Sequence, residues 1–306
     1  MNNGRSNNHV SEWRIKDQMC DIGRRIWARG FCAGNEGNHS YRIAENRILC
    51  TPTGISKGQL KAEDICTVDL EGKQFAGARK RTSEINLHLA IYRARPDVRA
   101  VIHSHPPHAT AFAVAGVELP TCVHPEAEVF LGPVKMAKYV TPGDARLGES
   151  ILPFVRDSNT ILLQSHGVVT FDADLEKAYY ELEIVDAYAR ILILAKQVGG
   201  IRQLSPDEMR ELIDLKPRFG MSDSRLGKPL ECSTDFLSRV AEETGTRGRM
   251  VCGEDCVPVS AQDPIERAVS NVAPAQISED GMEQLVQTIT DQIMATMNDG
   301  SDSGSV

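Results

Sequence analysis

No run in this sequence approaches the ~20 consecutive apolar residues that a membrane-spanning helix needs. The opening Met1–Val10, with four asparagines and a glycine, is polar rather than signal-like. These absences point to a cytoplasmic protein with no membrane partner. An excess of basic residues is also missing. The 34 Lys and Arg are outnumbered by 42 Asp and Glu, and the net charge of −8 argues against a nucleic-acid partner, which needs a basic face. Any anionic ligand must therefore be held by local groups. Paired cysteine spacings are scarce as well. The eight cysteines mostly lie singly in apolar segments, as at Cys20, Cys50 and Cys66, which suits reduced, buried thiols better than a disulfide framework. Only Cys252 and Cys256 form a near pair. With no second pair to complete a metal or disulfide unit, they are read as ordinary cysteines.

What the sequence does have is a long, mixed α/β pattern. Residues 1–10 are expected to be a disordered lead-in, and residues 11–246 a compact domain large enough to bury a full core. Trp13, Met19, Ile22, Ile26 and Trp27 recur at helical spacing, with a stop at Gly30 or Gly34. Short strands are predicted at Ser40–Ile43, Arg47–Cys50, Ile65–Asp69, Val98–His103 and Thr160–Gln164, separated by Gly, Asn, Pro and Lys clusters. An amphipathic helix is predicted from Ser83 to Ala94, capped by Thr82 or Ser83 and ended before Pro96. The longest helix is predicted from Leu175 to Val198, stopping at Gly199-Gly200. Its Glu176, Glu181, Glu183 and Asp186 read as a solvated face.

Three strings carry chemistry. In Val101-Ile102-His103-Ser104-His105 the alternation of a strand sends His103 and His105 to one side, where two imidazoles can share an ion. In Leu162-Leu163-Gln164-Ser165-His166-Gly167 an apolar strand ends in a histidine placed to supply a third ligand. In Thr82-Ser83-Glu84 a carboxylate stands at a helix start and is suited to serve as ligand or base. Three histidines and a carboxylate match zinc better than the all-oxygen sites of magnesium or calcium. His88, one turn beyond Glu84, is expected to hydrogen-bond behind the site. His108 follows two prolines and is a candidate pocket residue, while His9 and His39 carry no argued role.

Together with Gly37-Asn38-His39-Ser40, Thr51-Pro52-Thr53-Gly54, Ser83-Glu84, His103-Ser104-His105 and Gln164-Ser165-His166-Gly167, these strings resemble the class II aldolase and adducin family over about residues 15 to 220. The likeness is strongest to its L-fuculose-phosphate aldolase branch. The resemblance implies a three-layer α/β/α sandwich with a mixed, largely antiparallel central sheet, and a C4 homotetramer with active sites between subunits. It implies that His103, His105 and His166 bind Zn2+, with Glu84 as fourth ligand at rest and acid/base during turnover. It also implies that Gly37, Asn38, Thr53, Gly54, Thr82 and Ser83 hold the phosphate of a phosphorylated ketose. Tight turns and a helix N-terminus make such an anion nest without a lysine.

The expected reaction is reversible cleavage of an L-fuculose- or L-rhamnulose-type 1-phosphate to dihydroxyacetone phosphate and lactaldehyde. Two positions depart from the family pattern. Where the aldolase has a tyrosine that enters the neighbouring subunit's site, this chain has His124, which either takes over that acid/base task or packs as a loop residue before Pro125. A second family tyrosine corresponds to Phe219, which moves no proton. Epimerases, a dehydratase, decarboxylases and adducin-like assembly modules share the fold. The retained histidines argue against the last, and Glu84, where the epimerases usually carry Asp, favours aldol chemistry.

Beyond the family's needs, residues 247–277 read as a flexible linker, 278–298 as an amphipathic helix and 299–306 as a tail. Met282, Leu285, Val286, Ile289, Ile293, Met294 and Met297 form one apolar stripe. The helix either folds back on its own domain or docks on another protein. It resembles the encapsulation peptides that deliver enzymes into the lumen of bacterial microcompartments, which makes shell proteins the expected partner.

Overall fold

A computed structural model describes residues 11–221, 223, 225–230 and 232. The lead-in with His9, the linker, the C-terminal helix, the tail, Cys252 and Cys256 lie outside the described residues. Helix α1 (Glu12–Ala28) begins where the Ser11 side chain accepts from the Arg14 backbone N–H, with Glu12 in its first turn. Its buried stripe is Ile15, Met19, Ile22 and Ile26, at steps of four, three and four. Trp13 and Trp27, expected within that stripe, are 59% and 56% exposed. The aliphatic positions face the sheet, and the tryptophans fall beside the stripe rather than in it.

Eight strands form one sheet: β1 (Asn38–Ala44), β2 (Arg47–Cys50), β3 (Cys66–Val68), β4 (Gln74–Ala76), β5 (Ala100–Ser104), β6 (Lys135–Ala137), β7 (Thr160–Leu163) and β8 (Gly167–Asp172). Their order is β4-β3-β2-β1-β5-β8-β7-β6. Every pairing is antiparallel except β6 with β7. Strand alternation divides the core in two. Ala100, Ile102, Leu162 and Val168 face α1, α3 (Pro107–Ala115) and α5 (Leu175–Gln197). Val101, Ile161, Leu163, Val169 and Phe171 face α2 (Ile85–Ala94) and α4 (Arg146–Ile151). This is the expected three-layer α/β/α arrangement.

Two expectations need correction. Cys122 and Cys232 are joined in a disulfide across 110 residues. Sequence spacing carries no information about such a distant pair, whereas Cys20, Cys32, Cys50 and Cys66 are free and buried as expected. Glu181 and Asp186 on α5 are 8% and 6% exposed rather than solvated. Their turn of the helix is pressed onto the sheet and α3, where each finds polar partners.

Candidate metal centre

The centre of the sheet delivers three imidazoles to one point. His103 lies on β5, paired with Asn38 of β1 and Val169 of β8, and is 1% exposed. Its Nδ1 is 2.9 Å from the Val168 carbonyl; a carbonyl only accepts, so Nδ1 carries the proton and the Nε2 lone pair is free. His105 follows the strand end, anchored by its backbone N–H to the Phe31 carbonyl at 2.9 Å, with Nε2 3.2 Å from that of His103. His166 sits in the β7–β8 turn, where Ser165 adopts φ 56°. Gly167 makes that turn possible. A Cβ there would lie 2.5 Å from the His105 ring and 2.7 Å from the Ser104 carbonyl, so any larger residue would push the third histidine away from the other two. Burial, reinforced by the neighbouring imidazoles, holds His103 well below the usual histidine range, and burial lowers His166 too. Neutral rings are the form that binds a cation.

Glu84 completes the set. Its Oε2 is 3.4 Å from His103 Nε2 and its Oε1 is 3.5 Å from His166 Nε2. Zinc–nitrogen bonds of ~2.05 Å in a tetrahedron place ligand atoms roughly 3.3 Å apart, so these separations fit one small ion. Glu84 Oε1 is buried with no hydrogen-bond partner, an orphan that a cation would satisfy. Glu84 is the N-cap residue of α2, but its side chain caps nothing. Its own N–H is instead taken by Thr82 Oγ1 at 3.3 Å, which leaves the carboxylate free to turn inward. Asn38 Nδ2 donates to Oε2 at 2.8 Å. Behind it, His88 Nε2 donates to Asn38 Oδ1 at 2.6 Å, and Ser40 Oγ donates to His88 Nδ1 at 2.7 Å. His88 is held neutral by burial, its pKa lowered to about 3. It supports the carboxylate from behind, as expected.

Residues 17–193 match the model of the class II aldolase and adducin N-terminal domain. The chain belongs to the class II aldolase and adducin family. It is 38% identical over 174 residues to an L-fuculose phosphate aldolase of Methanococcus maripaludis, covering 57% of this chain and 93% of that one. It is 31% identical over 214 residues to a 3-oxo-tetronate 4-phosphate decarboxylase of Pectobacterium atrosepticum, covering 69% and 97%. A solved L-fuculose 1-phosphate aldolase superposes with a TM-score of 0.63 at 28% identity, covering 70% of this chain and all of that one.

Of the other candidate positions in this class II aldolase domain, Thr53, Gly54, Thr82 and Ser83 lie on two segments joined just before Glu84, and Gly37 and Asn38 lie beside His103 and Glu84. Pro52 bridges Arg81, the Thr53 N–H donates to the Lys80 carbonyl at 3.0 Å, and the Thr82 N–H donates to the Thr51 carbonyl at 3.1 Å. The register sets Thr51 opposite Thr82 and Thr53 opposite Lys80, so the Thr53-Gly54 turn continues from the segment paired with residues 80–82. Gly54 has φ +75° and Gly37 φ +69°, and a Cβ on Gly37 would come within 3.0 Å of the His103 carbonyl. Thr53, Gly54 and Ser83 are exposed, while Thr82 is buried. Asn38 differs from the rest, because its amide is already engaged by Glu84 and His88. His124 stacks on Tyr188, with ring centroids 5.7 Å apart, and its Nε2 lies 3.4 Å from Glu126; its described contacts do not join the triad. His108 is likewise occupied, since Asp186 accepts from both its backbone N–H and Nδ1. Phe219 ends a short 3-10 turn, Lys216–Phe219.

One contributor escapes sequence reasoning. Glu36 Oε2 lies 3.3 Å from His105 Nδ1 and accepts from the Ala33 N–H at 3.0 Å. A carboxylate on the outer nitrogen of a ligating histidine fixes the ring and strengthens the ligand. Its position beside Gly37-Asn38 is the only sequence signal.

Proposed function

We propose that this protein is a zinc-dependent aldolase that reversibly cleaves a ketose 1-phosphate of the L-fuculose or L-rhamnulose type into dihydroxyacetone phosphate and lactaldehyde. The observation that carries this reading is the Glu84 carboxylate, which leans on two of three converging imidazoles and keeps one buried oxygen unpartnered. Bound zinc supplies Lewis acidity toward the ketose carbonyl and its neighbouring hydroxyl. His103, His105 and His166 hold the ion, with Glu84 as resting ligand. Glu84, once protonated, would be the acid that delivers a proton to the enediolate carbon, and in synthesis the same group as carboxylate would be the base that removes it. The turns at Gly37-Asn38, Thr53-Gly54 and Thr82-Ser83 receive the phosphate through backbone N–H groups and hydroxyls.

His124 serves the aldehyde end by entering a neighbouring subunit's site in a C4 homotetramer. The exposed Trp13, Tyr180, Ile191 and Leu194 of the single chain support an assembly that covers apolar surface. We place the enzyme in the cytoplasm, as microcompartment cargo held to shell proteins through residues 278–298. The test is incubation of purified protein with ketose 1-phosphates and 5-phosphates, with detection of dihydroxyacetone phosphate. Cleavage should stop on chelation and in His103→Ala. Full activity with less than one metal atom per subunit would refute the zinc site. The decarboxylase relative supports a second reading, and release of carbon dioxide from a 3-oxo acid phosphate without dihydroxyacetone phosphate would select it.

A further inference from the structure

Lys57 is a buried cation that the reaction described above does not use. It is 1% exposed, and among the described residues its ammonium meets no carboxylate. Nζ donates instead to the Asn35 carbonyl at 2.9 Å and the Ile55 carbonyl at 2.8 Å. Burial lowers its pKa from the usual lysine value, and two neutral carbonyls only partly offset the desolvation that a counter-ion would repay. The residue is also locked in place. A Cβ on Gly23 of α1 would lie 2.5 Å from the Lys57 carbonyl, and one on Gly58 would lie 2.6 Å from the Trp27 ring. Gly23 thus lets the α1 backbone touch the Lys57 backbone, and Gly58 lets the Trp27 side chain lie against the Lys57–Gln59 turn.

The two carbonyls indicate what the charge serves. Asn35 stands two residues before Gly37, and Ile55 directly follows Gly54. Nζ therefore lies where two of the three turns assigned to the substrate phosphate converge. None of those turns contains a lysine or arginine, and the chain as a whole carries −8. Arg81, next to Thr82, spends its guanidinium on the carbonyls of Gly72 and Thr82. A phosphate dianion held by N–H and O–H dipoles in an acidic protein gains from a buried positive charge, and Lys57, bonded to the backbone beside two of those turns, is placed to provide one.

We infer that Lys57 is the buried cation of the phosphate site, pinning the turns at residues 35–38 and 53–55 together and supplying the positive charge that a phosphate dianion meets behind them. The inference rests on the phosphate-site reading above. Lys57 is a positioning and charge-supplying residue, not a catalytic one.

Calorimetric titration of inorganic phosphate into the zinc-loaded full chain tests it, with wild type, Lys57→Gln and Lys57→Met compared. Glutamine keeps an N–H for the carbonyls but no charge, and methionine keeps neither. Both variants should bind phosphate about tenfold more weakly or worse, while acetohydroxamate, which chelates the metal rather than occupying the phosphate turns, binds all three proteins alike. Phosphate affinity unchanged in Lys57→Gln would overturn the proposal, and so would a parallel loss of both ligands, which marks a purely structural lysine. A check that needs no variant is the 31P titration of phosphate bound to wild type. Its second ionisation should move to lower pH than in free phosphate, and an unmoved ionisation overturns the role. If wild type takes up no phosphate, the phosphate-site reading fails and this inference falls with it. Wild-type binding that the substitutions leave untouched removes Lys57 alone.

Discussion

Glu84 is gripped on one oxygen by the Asn38 amide and leans toward His103 and His166 with both. That division would suit the proposed role, in which the carboxylate exchanges an ion for a proton, because the Asn38 contact does not depend on the metal. Glu84→Gln retains the shape and can still accept from Asn38 but transfers no proton. The rate of cleavage should fall ~10²-fold or more with zinc still bound by the histidines, and a steady-state rate beside a metal analysis will show it; an unchanged rate would assign the base elsewhere. Glu36→Gln should weaken zinc binding by ~10- to 100-fold through loss of the His105 contact, read by competition with a chromophoric chelator. Equal affinity would make Glu36 a bystander. The three histidines were legible because strand alternation and a terminal glycine have direct geometric meaning. Glu36 was not, since its meeting with His105 depends on the loop that joins α1 to β1, and no periodicity describes that loop.

At the scale of the element, α5 shows where pattern reading stops. Its length, its Asp174 cap accepting from the Lys177 N–H at 2.8 Å and its glycine stop follow from local rules. The environment of its carboxylates does not, because burial is decided by what packs against each turn. Glu181 lies against Asn159 and Thr160, and burial, with the charge of Asp172 added, raises its pKa well above the ordinary value. A carboxyl whose folded pKa is raised contributes stability that is complete below the unfolded value and is lost as pH rises through the folded one. Wild type at neutral pH and above therefore carries a penalty that Glu181→Gln lacks. The variant should melt higher at pH 8 and converge with wild type near pH 4, each kcal/mol recovered being worth roughly 2–4 °C. A variant that melts lower at pH 8 would show that Glu181 is charged and paired. The same limit applies to α1, where the helix was legible but the exposed sides taken by Trp13 and Trp27 depended on the sheet.

At the scale of the whole molecule, the layered sheet was legible through the motifs that lie on it, and the Cys122–Cys232 disulfide was not, because a contact across 110 residues leaves no local trace. The C-terminal region is a different case, since it lies outside both the family match, which ends at residue 193, and the described residues. Its argument rests on sequence alone. Met282, Leu285, Val286, Ile289, Ile293, Met294 and Met297 recur at three- and four-residue steps, and Glu283, Gln284, Gln287, Thr288 and Asp291 fall between them. On this reading Ser278 would cap the predicted helix, Glu279 and Asp280 would suit its N-terminal end, and Asn298-Asp299-Gly300 would end it. The polar positions lack the basic residues of a membrane-surface helix, so the covering surface proposed for the stripe is protein. If that protein is a shell, confinement of the reactive aldehyde that the proposed cleavage would release would explain the extension. Deleting residues 278–306 should then leave cleavage and the tetramer intact while abolishing co-purification with shell proteins, and fusing the segment to a fluorescent reporter should recruit the reporter to shells. A truncated enzyme that aggregates or loses activity would instead show that the stripe covers its own domain.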